Sequence, residues 1–453
     1  MKMAKIMEEK KQLTVIGGGL AGCEAAWQAA ERGIEVTLYE MRPEVKTGAH
    51  VGGDLAELVC SNSLGSNLID RASGLLKEEL RLYRSLLCEC GEASAVPAGN
   101  ALAVDRKVFS QRVTEKLLSH PNIRIVREEI KSIPMDRPLI VASGPLSSEA
   151  ISDSITALTG SENLFFFDAI APIIEYDSID HTVAYTASRY NRGEDDEGDY
   201  INCPFNKEEY ERFVTELIGA KRIPLKAFEE MIEQGVNAGK HFFEGCLPVE
   251  ILAGRSMQAL AFGPLRPVGL IDPRTGKRPW AVLQLRQDDL SGNLYNMVGF
   301  QTNLLQGEQQ RVFRMIPGLE NASFVRYGQM HRNTYICAPE LLNPTLNLKQ
   351  YPQIFFAGQL CGVEGYMGNI AAGLLAGVNA ARFLNGQELV MLPKETMAGA
   401  LFNYITSAEP KHFQPMKANM GILPELEKPS RSKRERAGQY AARALEIVKT
   451  VEL

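Results

Sequence analysis

The sequence predicts an α/β fold: a Rossmann-like domain built in two parts, with an α+β domain inserted between them. Three observations carry this. The first is the stretch Leu13 to Glu40. A short apolar run (Leu13, Val15, Ile16) stops at Gly17-Gly18-Gly19, and Gly22 follows. An Ala-rich segment then reaches Arg32, and a second β-like run, Ile34 to Tyr39, closes on Glu40. The second is a pair of buried-type runs ending in small residues, LIVASG at Leu139 to Gly144 and IFFAGQ beginning at Ile354. The third is a change of texture between about residues 150 and 330, where β-rich segments such as LFFFDAIAPIIEYD and TVAYTASRY appear. The expected limits are 10–150 and 331–453 for the discontinuous domain, including a basic helical tail, and 151–330 for the insert.

Leu13 to Glu40 reads as strand, tight turn, helix, strand. Gly17 allows the turn, Gly19 lets a pyrophosphate approach the backbone, and Gly22 lets helix and strand pack closely. The helix start, Leu20 and Ala21, then meets phosphates with free N–H groups and a positive dipole end. Glu40 ends the second strand, where an acid accepts from a ribose diol. Together these predict an adenine dinucleotide site. The turn after Leu139 to Gly144 is of the kind that closes the first half of a two-part, glutathione-reductase-like FAD domain. No second GxGxxG followed by strand and acid occurs, so one dinucleotide has a dedicated site, and a nicotinamide, if used, visits transiently.

Along the chain, Arg42-Pro43 leads into a Gly-rich loop and then AELVCSNSLGSN, small and polar around Cys60. Ser73 to Leu87 has the apolar spacing of one amphipathic helix. Val96 to Asp105 reads as extended, Arg106 to Leu118 as helix, and Ile123 to Val126 as strand. In the insert, Lys207 to Ile218 and Leu225 to Ala238 read as helices, Val282 to Leu285 and Leu294 to Phe300 as strands. Gly362 to Phe383 is predicted as a small-residue helix allowing close approach to a cofactor or to backbone. Lys428 to Lys449 is predicted as a basic helix.

A chain of 453 residues has room for two to four domains. The net charge of −6 excludes a global basic field for nucleic acid, so RNA binding would need a local patch. The turn Thr275 to Pro279 and the tail are the basic clusters suited to RNA phosphates. The polar start MKMAKIMEEKK is unlike a signal peptide, and no apolar run has membrane-spanning length. Eight cysteines without framework, CxxC or zinc spacing predict free thiols in a reducing, cytoplasmic setting and no metal site.

Two cysteines stand in polar turns suited to an accessible thiolate. These are Cys60 and Cys246, the latter in HFFEGCLPVE. His241, His331 and His412 are candidate acids or bases. Arg286 and Arg332 are candidates for holding a carboxylate or phosphate, or for ordinary salt bridges. Cys88-Glu89-Cys90 reads as structural.

The collinear motifs VIGGGLAGCEAAWQAAERGIEVTLYEMRP, AELVCSNSL, VPAGNALAVDR, FFEGCLPVE, GKRPWAVLQLRQDD, VGFQTNL, RYGQMHRNTY, FFAGQLCGVEGY and FQPMKANMGIL run along nearly the whole chain. In them the chain closely resembles the bacterial folate- and FAD-dependent tRNA (uracil-5-)-methyltransferases, the TrmFO family. IFFAGQ…GVEGY…AAGLLAGVNAAR also resembles the larger GidA/MnmG flavoproteins, which carry an extra C-terminal region. The resemblance implies methylation of a T-loop uridine of tRNA from 5,10-methylenetetrahydrofolate, with FAD reduced by NAD(P)H. It implies that Cys246 is the nucleophile, Cys60 a second functional thiol, and Gly17 to Gly22 the FAD pyrophosphate loop. Gly358, Gln359 and Tyr366 are expected beside the cofactor, with Tyr366 stacking on the flavin or folate ring. Its partners would be the tRNA T-arm and the small molecules, with no membrane and no stable protein partner. The same motifs would serve a uridine in ribosomal RNA. A non-catalytic flavin-bound RNA-binding factor would leave both cysteines dispensable.

Overall fold

Five parallel strands form the sheet that places the dinucleotide turn. The computed structural model describes residues 11–45, 47, 49–160, 164–189, 198–223 and 247–453, with backbone only for 164–168 and 330–332. The sheet order is Ile354–Phe356, Leu139–Val141, β1 (Gln12–Ile16), β2 (Glu35–Glu40), Ile123–Arg127. Leu139–Val141 and Ile354–Phe356 are buried throughout, as expected of parallel strands covered on both faces. The chain moves from β1 to β2 on one side and later to Leu139–Val141 on the other. That reversal opens a crevice at the carboxyl ends of β1 and Leu139–Val141, where open α/β sheets bind ligands.

Helix α1 (Leu20–Glu31) follows the turn, and a long helix, α2 (Tyr366–Leu384), crosses it. A Cβ at Gly373 would stand 2.2 Å from the Ala21 carbonyl oxygen, and one at Gly377 would stand 2.4 Å from that of Ala25. The small residues of α2 therefore serve helix–helix approach. The helix also starts later than its composition suggests. Gly362 (φ 78°) and Gly365 (φ 80°) are left-handed, and Val363–Glu364 pairs with Met416–Lys417 instead.

The single helix expected over Ser73 to Leu87 is two, Ala72–Leu82 and Leu86–Glu92. Arg84 between them has φ 58°, and the Ser85 hydroxyl caps the second by accepting from the Cys88 N–H. The tail helix runs Lys433–Val448, later than expected, because Ser432 caps it.

The second body has a six-stranded antiparallel sheet in the order Tyr185–Thr186, Tyr200–Phe205, Ala281–Gln287, Leu294–Met297, Ile173–Glu175, Phe324–Arg326. The helix Lys207–Gly219, started by an Asn206/Glu209 capping box, lays Phe213 against Phe205 and Phe300. Its apolar core runs from Ile174 to Ala322, separate from that of the first body. The expected limit between residues 150 and 151 falls inside the helix Glu149–Thr159, whose Ile151 and Ile155 pack into the first core. Leu164–Ala169 and Met330–Tyr335, the two passages between the sheets, pair antiparallel. The predicted helix Leu225 to Ala238 lies outside the described residues.

Candidate active site

The turn after β1 is built from three glycines that are needed for different reasons. Gly17 has φ 106°, and a Cβ there would meet the Ala142 carbonyl oxygen at 2.4 Å. One at Gly22 would lie 1.8 Å from the Gly17 carbonyl oxygen. Gly19 is the N-cap of α1 without a side-chain cap, and open space lies where its Cβ would be. Its bare backbone and the free N–H groups of α1 thus face a crevice suited to an anion.

Glu40 is buried, and its carboxylate is partly engaged. Oε2 accepts from the Gly18 N–H at 2.8 Å, and Oε1 accepts from the Arg42 N–H and Nε, both at 2.9 Å. Burial acts to raise its pKa. The Arg42 charge and these hydrogen bonds outweigh it and hold the carboxyl below its ordinary value. Three of its roughly four acceptor positions are used.

A cavity of about 1030 Å³, counted to its open mouth, lies over this turn. Its walls include Gly17, Gly19, Leu20, Ala21, Glu40, Gly358, Gln359 and Tyr366. Of the expected cofactor residues, Gly18 and Gly22 sit behind the wall and shape it. A second cavity of about 1300 Å³ shares Val59, Gln359, Tyr366 and Asn369 with the first, and is lined beyond them by Cys60, Ser61, Glu364 and Lys417. The Asn369 Oδ1 on this common wall is buried and without a hydrogen-bond partner. Gly365, the N-cap of α2, also lacks a side-chain cap and opens on the second cavity.

Cys60 is held from two sides. In front, the Tyr366 hydroxyl accepts from the Cys60 N–H at 2.8 Å and the Ser61 N–H at 3.1 Å. Burial drives the Tyr366 phenol pKa upward, so it stays neutral. Behind, the Cys60 carbonyl accepts from Arg326 Nη2 at 3.2 Å and Arg106 Nη2 at 3.4 Å. Arg106 also donates to the Leu58 carbonyl and to Asp288 Oδ1. Arg286 is buried and donates to Asn62 Oδ1 at 2.8 Å, so this candidate orients an amide of the Cys60 loop. Burial lowers the Arg326 pKa to about 10, and the group remains a cation at neutral pH. Burial raises that of Asp288 against the pull of Arg106. Three guanidinium groups and one carboxylate thus surround the loop. Of these four groups, sequence reasoning singled out Arg286 alone. Arg106 and Arg326 lay inside quoted motifs, but spacing gave no reason to bring residues 106 and 326 together.

Cys246 and His241 lie outside the described residues, and the side chains of His331 and Arg332 are likewise not described. His412 is exposed, 4.0 Å from Glu409. Burial pushes the thiols of Cys88 and Cys90 up to about 12 and about 11, and those of Cys23, Cys203 and Cys361 upward as well. None of the described cysteines forms a disulfide, and among them Cys60 is the one lining either cavity. No metal-ligating cluster and no helix long and apolar enough to cross a membrane occur among the described residues.

A family model described as glucose inhibited division protein A matches residues 12–388. The chain is 55% identical over 434 residues to methylenetetrahydrofolate–tRNA-(uracil-5-)-methyltransferase TrmFO of Heliobacterium modesticaldum, with 96% of each chain covered. It is 54% identical over 439 residues to the protein of that name from Bacillus pumilus, covering 97% of this chain and 98% of the other. Among solved structures, Aquifex aeolicus GidA in its form II crystal superposes with a TM-score of 0.67 at 16% identity. That alignment covers 99% of this chain and 75% of the Aquifex chain, a likeness of fold.

Proposed function

The chain belongs to the glucose inhibited division protein A family and, within it, to the methylenetetrahydrofolate–tRNA-(uracil-5-)-methyltransferases; on that premise we propose that it methylates C5 of a uridine in tRNA, with methylenetetrahydrofolate as carbon donor. The observation that carries the reading is the common wall of the two cavities. Tyr366, Gln359 and Asn369 border both, and Cys60 stands in the second. A redox cofactor in one cavity and a thiol in the other would therefore share one reaction space.

FAD fits the first cavity. Gly19 and the uncapped start of α1 suit the pyrophosphate, and the spare acceptor position of Glu40 suits a ribose hydroxyl. The unpartnered Asn369 Oδ1 suits an N–H of the ring system. Bound there, FAD supplies the hydride that turns the transferred methylene into a methyl group, with NAD(P)H as the transient reductant.

The chain itself has to make C5 a nucleophile. Thiolate addition forms an S–C6 bond and moves the electron pair toward C5 and O4, and the C5–carbon bond to the folate methylene then forms. Loss of the C5 proton to a base breaks the bond between the methylene and the folate nitrogen and releases tetrahydrofolate; hydride delivered to that carbon would then complete the methyl group, re-form the C5–C6 double bond and expel the thiolate from C6. This is the work assigned to Cys246. Cys60, in a loop braced by cations, is the second thiol, and cations beside a thiol favour its anionic form. The target is taken to be the T-loop uridine, extruded from its stack as base-modifying enzymes require. A tRNA substrate puts the protein in the cytoplasm.

The test uses methylenetetrahydrofolate labelled in its methylene carbon, NAD(P)H, and unmodified tRNA and ribosomal RNA transcripts, with wild type and Cys246→Ala. The expected result is label as 5-methyluridine in tRNA with wild type alone. Label confined to ribosomal RNA would replace the substrate. No label in either RNA, while NAD(P)H bleaches the flavin, would overturn the reaction.

A further inference from the structure

The acidic chain carries a basic, aromatic face on the insert that the reaction site does not use. Residues 254–280 hold five cations, Arg255, Arg266, Arg274, Lys277 and Arg278, against the single carboxylate Asp272, a local charge of +4 in a chain of −6. Asp272 is taken by Arg274 at 2.9 Å. Among the described residues no carboxylate pairs with Arg266, Lys277 or Arg278, and all three are exposed. A groove of about 1140 Å³ runs between Phe262, Arg266, Val268, Arg278 and Trp280. Phe262 is 77% exposed and Trp280 41%, a cost in water that a stacking partner would relieve. Lys207 Nζ sits 5.6 Å from the Trp280 ring centroid and adds a further cation at the rim.

The other basic cluster is partly engaged. In the tail, Arg443 spends its guanidinium on the carbonyls of Pro424 and Glu425, and Arg434 meets Asp70 at 3.3 Å. Those groups brace the helix Lys433–Val448 on the body.

We propose that the groove between Phe262, Arg266, Arg278 and Trp280 is a docking surface for the RNA substrate away from its reacting base: cations on the backbone phosphates, aromatic faces against an unpaired or terminal base. The proposal rests on the tRNA reading above and adds where that RNA lies. The strand Ala281–Gln287 sets the spacing. It begins beside Trp280 and carries Arg286, which bonds Asn62 in the Cys60 loop. Six residue steps at about 3.4 Å make roughly 20 Å between groove and loop. An RNA stem can lie across that distance while one extruded base enters the second cavity. Charge and exposed aromatic rings together are the chemistry of nucleic-acid surfaces.

The experiment uses the full-length flavoprotein and fluorescently labelled tRNA transcript, with anisotropy read between about 50 and 200 mM salt. Arg266→Ala/Arg278→Ala is expected to weaken binding about 10-fold and to flatten the log Kd against log salt slope by about 1 to 2. Arg266→Lys/Arg278→Lys is expected to restore most of both. Phe262→Ala, at an exposed position, is expected to weaken binding about 5-fold or more with the salt slope unchanged. In turnover, KM for tRNA rises in step while kcat at saturating tRNA and flavin reduction by NAD(P)H stay as in wild type. Unchanged affinity and slope in both the double variant and Phe262→Ala overturn the surface. So does unchanged affinity with an altered sedimentation state, which would make the groove a protein contact. A wild type that binds tRNA through this groove yet transfers no carbon supports the surface and overturns the methylation reading instead.

Discussion

Tyr366 and Cys60, 306 positions apart, are joined by a 2.8 Å hydrogen bond from the Cys60 N–H to the Tyr366 hydroxyl. The same oxygen takes the Ser61 N–H, so one phenol holds two consecutive amides of the thiol loop to the start of α2. The sequence suggested this tyrosine as a stacking ring. Its hydroxyl proves to be the part with described partners.

Tyr366→Phe keeps the ring and strips both amides of their acceptor. Unsatisfied part-buried N–H groups cost about 1–3 kcal/mol each, enough to loosen the loop without unfolding the chain. FAD content should remain near wild type, and carbon transfer should fall about tenfold or more. Wild-type turnover in Tyr366→Phe would show that the hydroxyl is dispensable.

Arg326 donates to the carbonyls of Val59 and Cys60, and its buried Nε has no partner. Arg326→Met removes the charge behind the thiol, whereas Arg326→Lys retains it. Iodoacetamide alkylation at Cys60, followed by peptide mass at neutral pH, should slow with Met and recover in part with Lys, because a nearby cation favours thiolate. Equal rates in all three proteins would exclude an electrostatic role.

The glycines of the first turn should separate by experiment. Gly22→Ala places a methyl 1.8 Å from the Gly17 carbonyl oxygen and should destabilise the protein by several kcal/mol. Gly19→Ala meets open space at an ordinary φ of −78° and should fold with a normal melting temperature. Its methyl would occupy the pyrophosphate approach, so FAD should be lost selectively. A Gly19→Ala protein purified with a full flavin complement would mean that the phosphates lie elsewhere.

Glu79 gives a pH signature unrelated to catalysis. It is fully buried, and its carboxylate accepts the Met397 and Ala398 N–H groups at 2.6 and 2.9 Å, capping the helix Met397–Ser407. Burial raises its pKa from 4.5 to about 7, with the two hydrogen bonds pulling the other way. The folded state therefore holds this proton more tightly than the unfolded chain. Its contribution is fully present below pH 4.5 and is lost as pH rises toward 7, by roughly 3 kcal/mol in total. Urea unfolding of wild type and Glu79→Gln across pH 4.5 to 8 should show a flatter profile in the variant. Parallel profiles would assign the slope to other groups.

The first strand–turn–helix–strand unit and the return of Ile354–Phe356 to the same sheet were legible because local composition fixes them. Three glycines, an Ala-rich helix and short apolar runs admit few other structures. The helix break at Arg84 was hidden, since Ser73 to Leu87 keeps an apolar period through a residue at φ 58°. The delayed start of α2 was hidden because Gly362 and Gly365 look like the small residues that continue it. Cys60 was legible from its polar turn. Its braces were not, because Arg106, Asp288 and Arg326 come from three distant segments, and pairing across such separations leaves no local period to read.

The register of Ile354–Phe356 beside Leu139–Val141 has a consequence for how the chain is made. Until residue 356 has left the ribosome, Leu139–Val141 is an open, apolar sheet edge, and the face of α1 that receives α2 stays bare. The insert, whose core closes between Ile174 and Ala322, is complete well before that. Synthesis thus delivers a finished middle domain tethered to a half-built nucleotide domain. That half must avoid edge-to-edge association until the last quarter of the chain arrives to seal it.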